Sequence, residues 1–143
     1  LRAIGRKARE RLADNITGYE DLISDIEHVI KTRGYLLGLD GRPLYPRSDY
    51  SALNLLIQSA GAIICKQWVN DTIRIIEKTE KHGINWGLCA NVHDEQVFEA
   101  DPSITNLILS AGNESICLTQ QKLNVTIKLG IEAKVGKNWS EIH

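Results

Sequence analysis

The sequence lacks most of the features that would place it in a membrane, in a secreted scaffold or in a common hydrolytic class. No apolar run approaches the ~20 residues a membrane span needs, so no membrane partner is expected. Cysteine is scarce and odd in number, at Cys65, Cys89 and Cys117. Unpaired and widely spaced, these residues argue against a disulfide framework and a zinc knuckle, and they fit a reducing cytoplasm. No secretory leader is visible, although Leu1 in place of Met leaves the true start open. Sequons occur at Asn15, Asn70, Asn113, Asn124 and Asn138. They would accept glycans only in a secreted protein, so they are read as chance. There is no glycine-rich phosphate loop, no Ser-His-Asp arrangement and no cysteine-nucleophile pattern. Internal repeats and low-complexity segments are also missing.

What is present suits one domain with a sizeable core, since 43% of the 143 residues are apolar. The net charge of -1 offers no overall attraction to nucleic acid. Its distribution is less even: Arg2, Arg6, Lys7, Arg9 and Arg11 crowd the N-terminus against Glu10 alone. Such a run is most often a solvated helix face, with phosphate contact as the alternative.

Leu22, Ile23, Ile26, Val29 and Ile30 recur at helical spacing, which predicts a helix over 19–33 stopped by Gly34. Two short apolar runs around Asp40-Gly41 predict a hairpin over 35–45. A long helix is predicted from about Ser51 to Lys81, with Leu53, Leu56, Ile57, Ala60, Ile64 and Trp68 on one buried face. Residues 88–92 and 96–100 read as strands around His93-Asp94-Glu95. Asp101-Pro102-Ser103 opens a helix to about Lys122, with Gly112 weakening its middle. Two further strands are predicted over 125–129 and 131–135. The order implies an α+β fold, an antiparallel sheet packed against long helices.

Three constellations could carry chemistry. A tight hairpin at His93-Asp94-Glu95 would hold adjacent carboxylates at its tip, an arrangement that suits a hard cation such as Mg²⁺. By itself, an acidic turn is ordinary surface chemistry. Tyr50, Asn54 and Gln58, at i, i+4 and i+8, share one helix face. Asn and Gln amides can donate to the N3 and O2 acceptors that every base pair shows in the DNA minor groove, whereas bonding to nearby backbone is the plainer reading. Trp139 reads as a docked aromatic that anchors the tail, or as a stacking platform for a base. His28 and His82 have no metal-ligand spacing.

Taken in order, Gly38-Leu39-Asp40-Gly41-Arg42, Arg47-Ser48, the run Ala52-Leu53-Asn54-Leu55-Leu56-Ile57-Gln58-Ser59-Ala60-Gly61-Ala62, Val92-His93-Asp94-Glu95-Gln96-Val97-Phe98-Glu99 and Gly136-Lys137-Asn138-Trp139 with terminal His143 resemble the C-terminal part of family A DNA polymerases of the phage type. The resemblance implies a partial polymerase palm, with residues 1–33 as the helical end of the fingers and 34–143 as the C-terminal part of the palm. Asp94 would be a catalytic carboxylate and ligand of two Mg²⁺ ions, with Glu95 supporting it and His93 beside the primer terminus. Asn54, Gln58, Tyr50 and Arg47 would be DNA-binding, and His143 would close the palm. Tyr50 stands where many relatives carry Arg or His. The implied partners are primer-template DNA and dNTP, in the cytoplasm of a bacterial or phage-infected host. The family's second metal-binding aspartate and its triphosphate-binding fingers helix lie upstream of every residue here. The chain alone is therefore expected to be inactive without a complementing N-terminal polymerase segment. A non-catalytic duplex-binding or structural remnant is the alternative.

Overall fold

The computed structural model describes Gly5, Arg11 and residues 15–143, with the backbone alone at Asp49 and Tyr50. The basic positions Arg2, Arg6, Lys7 and Arg9 lie outside the described residues. The chain divides into two compact units, one ending at Ala60 and the other running Gly61–His143.

In the first unit, helix α1 covers Tyr19–Arg33, as the apolar spacing predicts. Gly34, at φ 79, donates its N–H to the Ile30 carbonyl and closes the helix. Glu20 and Asp21 in the first turn, with Lys31 and Arg33 in the last, complement the helix dipole. Strands β1 (Leu36–Leu37) and β2 (Pro43–Leu44) pair antiparallel, Leu36 opposite Leu44. Their connection is a wider loop than a two-residue Asp-Gly turn. Gly38 N–H donates to the Arg42 carbonyl at 2.9 Å, and the Arg42 guanidinium grips Asp40 at 2.6 Å. Ile26, Leu36 and Ala52 form the buried centre, flanked by Val29, Ile30, Leu44, Leu53 and Leu56.

Helix α2 runs Asp49–Ile76. At its start the Ser51 side chain reaches back to Ser48: Ser51 Oγ accepts from Ser48 N–H at 3.0 Å and donates to the Ser48 carbonyl at 2.8 Å. The helix ends earlier than the sequence predicts. Thr79 and Glu80 both donate backbone N–H to the Ile76 carbonyl, and the Glu80 carbonyl accepts from the Trp86 indole at 3.1 Å. Ile57 was predicted to be buried but is 61% exposed, because the first cluster closes around Ala52, Leu53 and Leu56.

In the second unit, β3 (Trp86–Val92) and β4 (Glu95–Ala100) form an antiparallel hairpin. Leu88 faces Phe98 while Ala90 faces Val97, so Cys89 is an extra, bulged residue. Asp101 accepts from Ser103 N–H at 2.8 Å and caps the 3₁₀ turn Pro102–Ile104, which leads into α3, Thr105–Lys122. Buried Ile76, Trp86, Ile104 and Ala111 make the core, with Ile73, Phe98, Leu107 and Ile108 around them.

Among the described residues the antiparallel sheet is therefore two separate two-stranded sheets. The strands predicted over 125–129 and 131–135 do not form. Among the described residues no strand pairs with them, and an extended segment without a ladder partner is not a strand. Instead the segment follows α3: Leu129 N–H donates to Gln120 Oε1 at 2.9 Å, and Ile131 seats on Gly112. A side chain at 112 would meet Ile131 Cδ1 at 3.1 Å, so Gly112 provides close approach. A short helix, α4, covers Trp139–Ile142.

A polar seam joins the second half of α2 to α3. The Thr72 and Ser115 hydroxyls are 2.7 Å apart and buried, and Trp68 Nε1–H donates to the Gly112 carbonyl. Asp71, only 3% exposed, accepts from Gln67, Thr119 and Lys122. Burial pushes its carboxyl up, but the Lys122 and Gln67 hydrogen bonds and the Lys122 charge outweigh that and hold it below its ordinary value. A carboxyl depressed by folding adds stability above its unfolded pKa, about 3.9, and loses it as pH falls through the folded value. Asp71→Asn is accordingly expected to lower stability by about 1–3 kcal/mol at pH 7 and to shrink the loss between pH 4 and pH 2. Urea titrations at pH 7, 4 and 2 check both parts; a variant as stable as wild type at pH 7 would remove this role from Asp71.

Gln96 on β4 is the opposite case. Both ends of its amide are buried with no partner among the described residues. An unpaired buried amide costs about 1–3 kcal/mol, so Gln96→Leu is expected to raise stability by about that amount. Thermal denaturation of the variant measures it, and a lower melting temperature would mean that the amide is satisfied in solution.

Candidate functional site

Two groups of predicted site residues are formed, one in each unit. In the first, Asn54 and Gln58 stand one turn apart on α2, both exposed. Neither amide makes a hydrogen bond to a described side chain or backbone group, so the reading that they are used up on the backbone finds no support. Together with Arg47 they line an open depression of about 210 Å³ whose other walls are Tyr45, Ser51 and Leu55. Arg47 is exposed and makes no ion pair among the described residues. This surface therefore offers unpartnered donors and one cation. The third member of the predicted strip, Tyr50, has its side chain outside the described residues.

In the second unit, His93 and Asp94 form the two-residue tip of the β3–β4 hairpin, and Glu95 already belongs to β4, opposite Val92. His93 adopts φ 53, a left-handed conformation uncommon for a residue with a Cβ and costing on the order of 1 kcal/mol. The ladder closing at Val92 and Glu95 imposes it. Asp94 is exposed at the tip and makes no ion pair among the described residues. Its charge is felt by Cys65 on α2: burial pushes the Cys65 thiol up, and the Asp94 carboxylate adds to the rise. A thiol raised in this way stays protonated at neutral pH and is a poor nucleophile.

The chain's last residue reaches the same hairpin. His143 Nε2 lies 3.1 Å from Glu95 Oε1, and its ring stacks on Trp139 at 4.2 Å, 29° from parallel. Trp139, which the sequence suggests as a docked aromatic or a stacking platform, is 56% exposed and packs on His143. The turn beneath it is held by Glu141, which accepts from Lys137 N–H and the Asn138 amide. Gly136 is required there, since a Cβ would lie 2.7 Å from Glu141 Cβ.

Asp94 and Glu95 provide oxygen donors of the kind a hard divalent cation takes. Among the described residues, however, no three His, Cys, Asp or Glu side chains are grouped to hold a metal ion. The residues present fit one contribution to a metal site and not a complete set of ligands.

Sequence reasoning missed Tyr45, Ser51 and Leu55 in the first group, and in the second the influence of the Asp94 charge on Cys65 and the facing of the His143 imidazole to Glu95. For Tyr45 a signal existed, since it stands two residues before Arg47 where the hairpin leaves β2. For the other pairs, separations of about 30 and 50 residues left no local pattern to read.

The sequence model of DNA polymerase family A matches residues 22–141. The chain is 34% identical over 139 residues to the DNA-directed DNA polymerases of Enterobacteria phage T3 and Escherichia phage T7, covering 94% of this chain and 20% of each relative. It is 27% identical over 118 residues to that of Escherichia phage Phieco32, covering 78% of this chain and 19% of the relative. In three dimensions it resembles the POL domain of Pol1 from M. smegmatis, solved in complex with DNA primer-template and dNTP. The TM-score is 0.69 at 22% identity, over 80% of this chain and 22% of that one, a likeness of fold. The chain spans about a fifth of the length of the relatives it matches. A family match over most of its residues, with the hairpin and the amide face inside the matched span, means that the chain belongs to DNA polymerase family A.

Proposed function

We propose that this chain is the C-terminal portion of a template-directed DNA polymerase, which joins a dNMP to a primer 3′-hydroxyl with release of pyrophosphate, and that it is inactive alone. The observation that carries the reading is Asp94: exposed, unpaired among the described residues and at the tip of a hairpin within a family A match. The phage relatives bear the name DNA-directed DNA polymerase, and the structural neighbour was solved with primer-template and dNTP.

In this reading each residue has a distinct task. Asp94 offers its carboxylate to the metal site, and the strained two-residue tip keeps it at the end of the hairpin. Glu95 is held by His143 and steadies the tip, while His93 lies beside the primer terminus. Asn54 and Gln58 donate to minor-groove acceptors common to all base pairs, testing pairing geometry without reading sequence. Arg47 neutralises a phosphate. Two bound Mg²⁺ ions would stabilise the charge on the attacking and leaving oxygens. Their other ligands lie outside the residues described, which is why no turnover is expected from this chain by itself. The setting proposed is the cytoplasm of a bacterial or phage-infected host.

Primer extension tests the reading. The chain is mixed with a separately produced family A segment carrying the upstream aspartate motif and the fingers helix. No extension is expected from either alone, and Mg²⁺-dependent extension from the mixture. Asp94→Ala should reduce it by about 10²–10³-fold or more, the usual cost of removing a charge-stabilising group. Undiminished extension with Asp94→Ala would overturn the assignment. Salt-dependent duplex binding with no extension in any mixture would favour a non-catalytic remnant.

A further inference from the structure

We propose that Tyr45 is a further duplex-contacting residue, its phenol hydroxyl bonding to the sugar–phosphate wall of the groove that Asn54 and Gln58 face; this rests on the reading that this surface binds duplex DNA. An α-helix about 10–12 Å across cannot enter a minor groove about 6 Å wide. Only the amide tips of Asn54 and Gln58 could reach the groove floor. Residues flanking those tips on the same surface then meet the walls, which are sugar and phosphate.

Tyr45 is built for that position. Strand β2 turns Leu44 into the first cluster, and the alternation of an extended chain carries Tyr45 to the other side, where it is 67% exposed. Its ring packs on Tyr35, at 5.8 Å between centroids and 50° between planes, a contact that favours one placement of the phenol. The hydroxyl bonds to no other described residue. Of the depression's lining residues, Ser51 also carries a hydroxyl, but that group already accepts from and donates to Ser48. Tyr45 is the open one. At about 210 Å³ the depression is smaller than the roughly 300–1,000 Å³ pockets that enclose small ligands. A single backbone unit of a larger partner suits it better.

The test is fluorescence anisotropy of the 143-residue chain against a short blunt DNA duplex and a single strand of equal length. Tyr45→Phe keeps the ring on Tyr35 and removes only the hydroxyl, and an unchanged thermal melt checks that the fold is kept. Duplex affinity is expected to fall roughly 5–10-fold, the size of one ordinary hydrogen bond. The slope of log affinity against log salt should not change, whereas Arg47→Ala should lower it by about 0.9. Wild-type affinity for Tyr45→Phe, while Asn54→Ala and Gln58→Ala weaken binding, overturns this inference and leaves the duplex reading standing. An equal loss on single strands overturns it too, because the contact would then be to a base or a free backbone. No change in any of these variants, or no duplex binding at all, overturns both.

Discussion

Helix α2 has to serve two hydrophobic clusters with one continuous backbone. Its first half contributes Ala52, Leu53 and Leu56 to one, and its second half Ile73, Ile75 and Ile76 to the other. Apolar residues accordingly recur along its whole length, with Leu55, Ile63 and Val69 beside those of the two clusters. The stripe left over in the first half carries Asn54 and Gln58. Their exposure follows from where the hydrophobic burial goes, and Ile57 is exposed for the same reason.

The second unit shows how polar groups can be buried without loss when they come as a set. Asp71, Thr72, Ser115 and Thr119 are all buried on the seam between α2 and α3, and each has a partner there. Lys122 is half-exposed and keeps part of its hydration while bonding to Asp71, which limits the desolvation cost of that pair. Against that background Gln96 stands out as a buried amide without partners, on the strand that begins beside Asp94. The hairpin itself depends on Trp86. Its ring fills the core against Phe98, its edge meets His82 at 4.8 Å, and its N–H ends the turn after α2. Asp94 thus sits at the tip of a hairpin whose other end is anchored by that tryptophan.

Where local chemistry decides, the sequence was readable. Helix α1 starts and stops where its apolar period and Gly34 say it should, and Asp101-Pro102-Ser103 caps the turn before α3. The β3–β4 hairpin surrounds His93-Asp94 as expected, with Glu95 moved from the turn into the strand by ladder pairing with Val92. The segment 125–135 shows the limit of such reading. Its β-branched pattern states a preference for extended backbone, but a strand also needs a neighbour at hydrogen-bonding distance, which no single segment can specify. Gly112 is a related case: a weak point by propensity, it is the place where Trp68 and Ile131 can approach α3.

The sequence by itself determined the kinds of groups available: two amides at helical spacing, a carboxylate in a tight turn, a terminal histidine, and an ordered set of motifs that marks the family. These depend on residue type and on separations of a few positions, which the chain carries openly. The tertiary structure decided which of them are free and which are engaged. Glu95 is held by His143 while Asp94 is open, Ser51 is spent on Ser48 while Tyr45 is not, and Cys65 is kept protonated by burial and by Asp94. Each outcome depends on desolvation or on partners brought together only when the chain is folded.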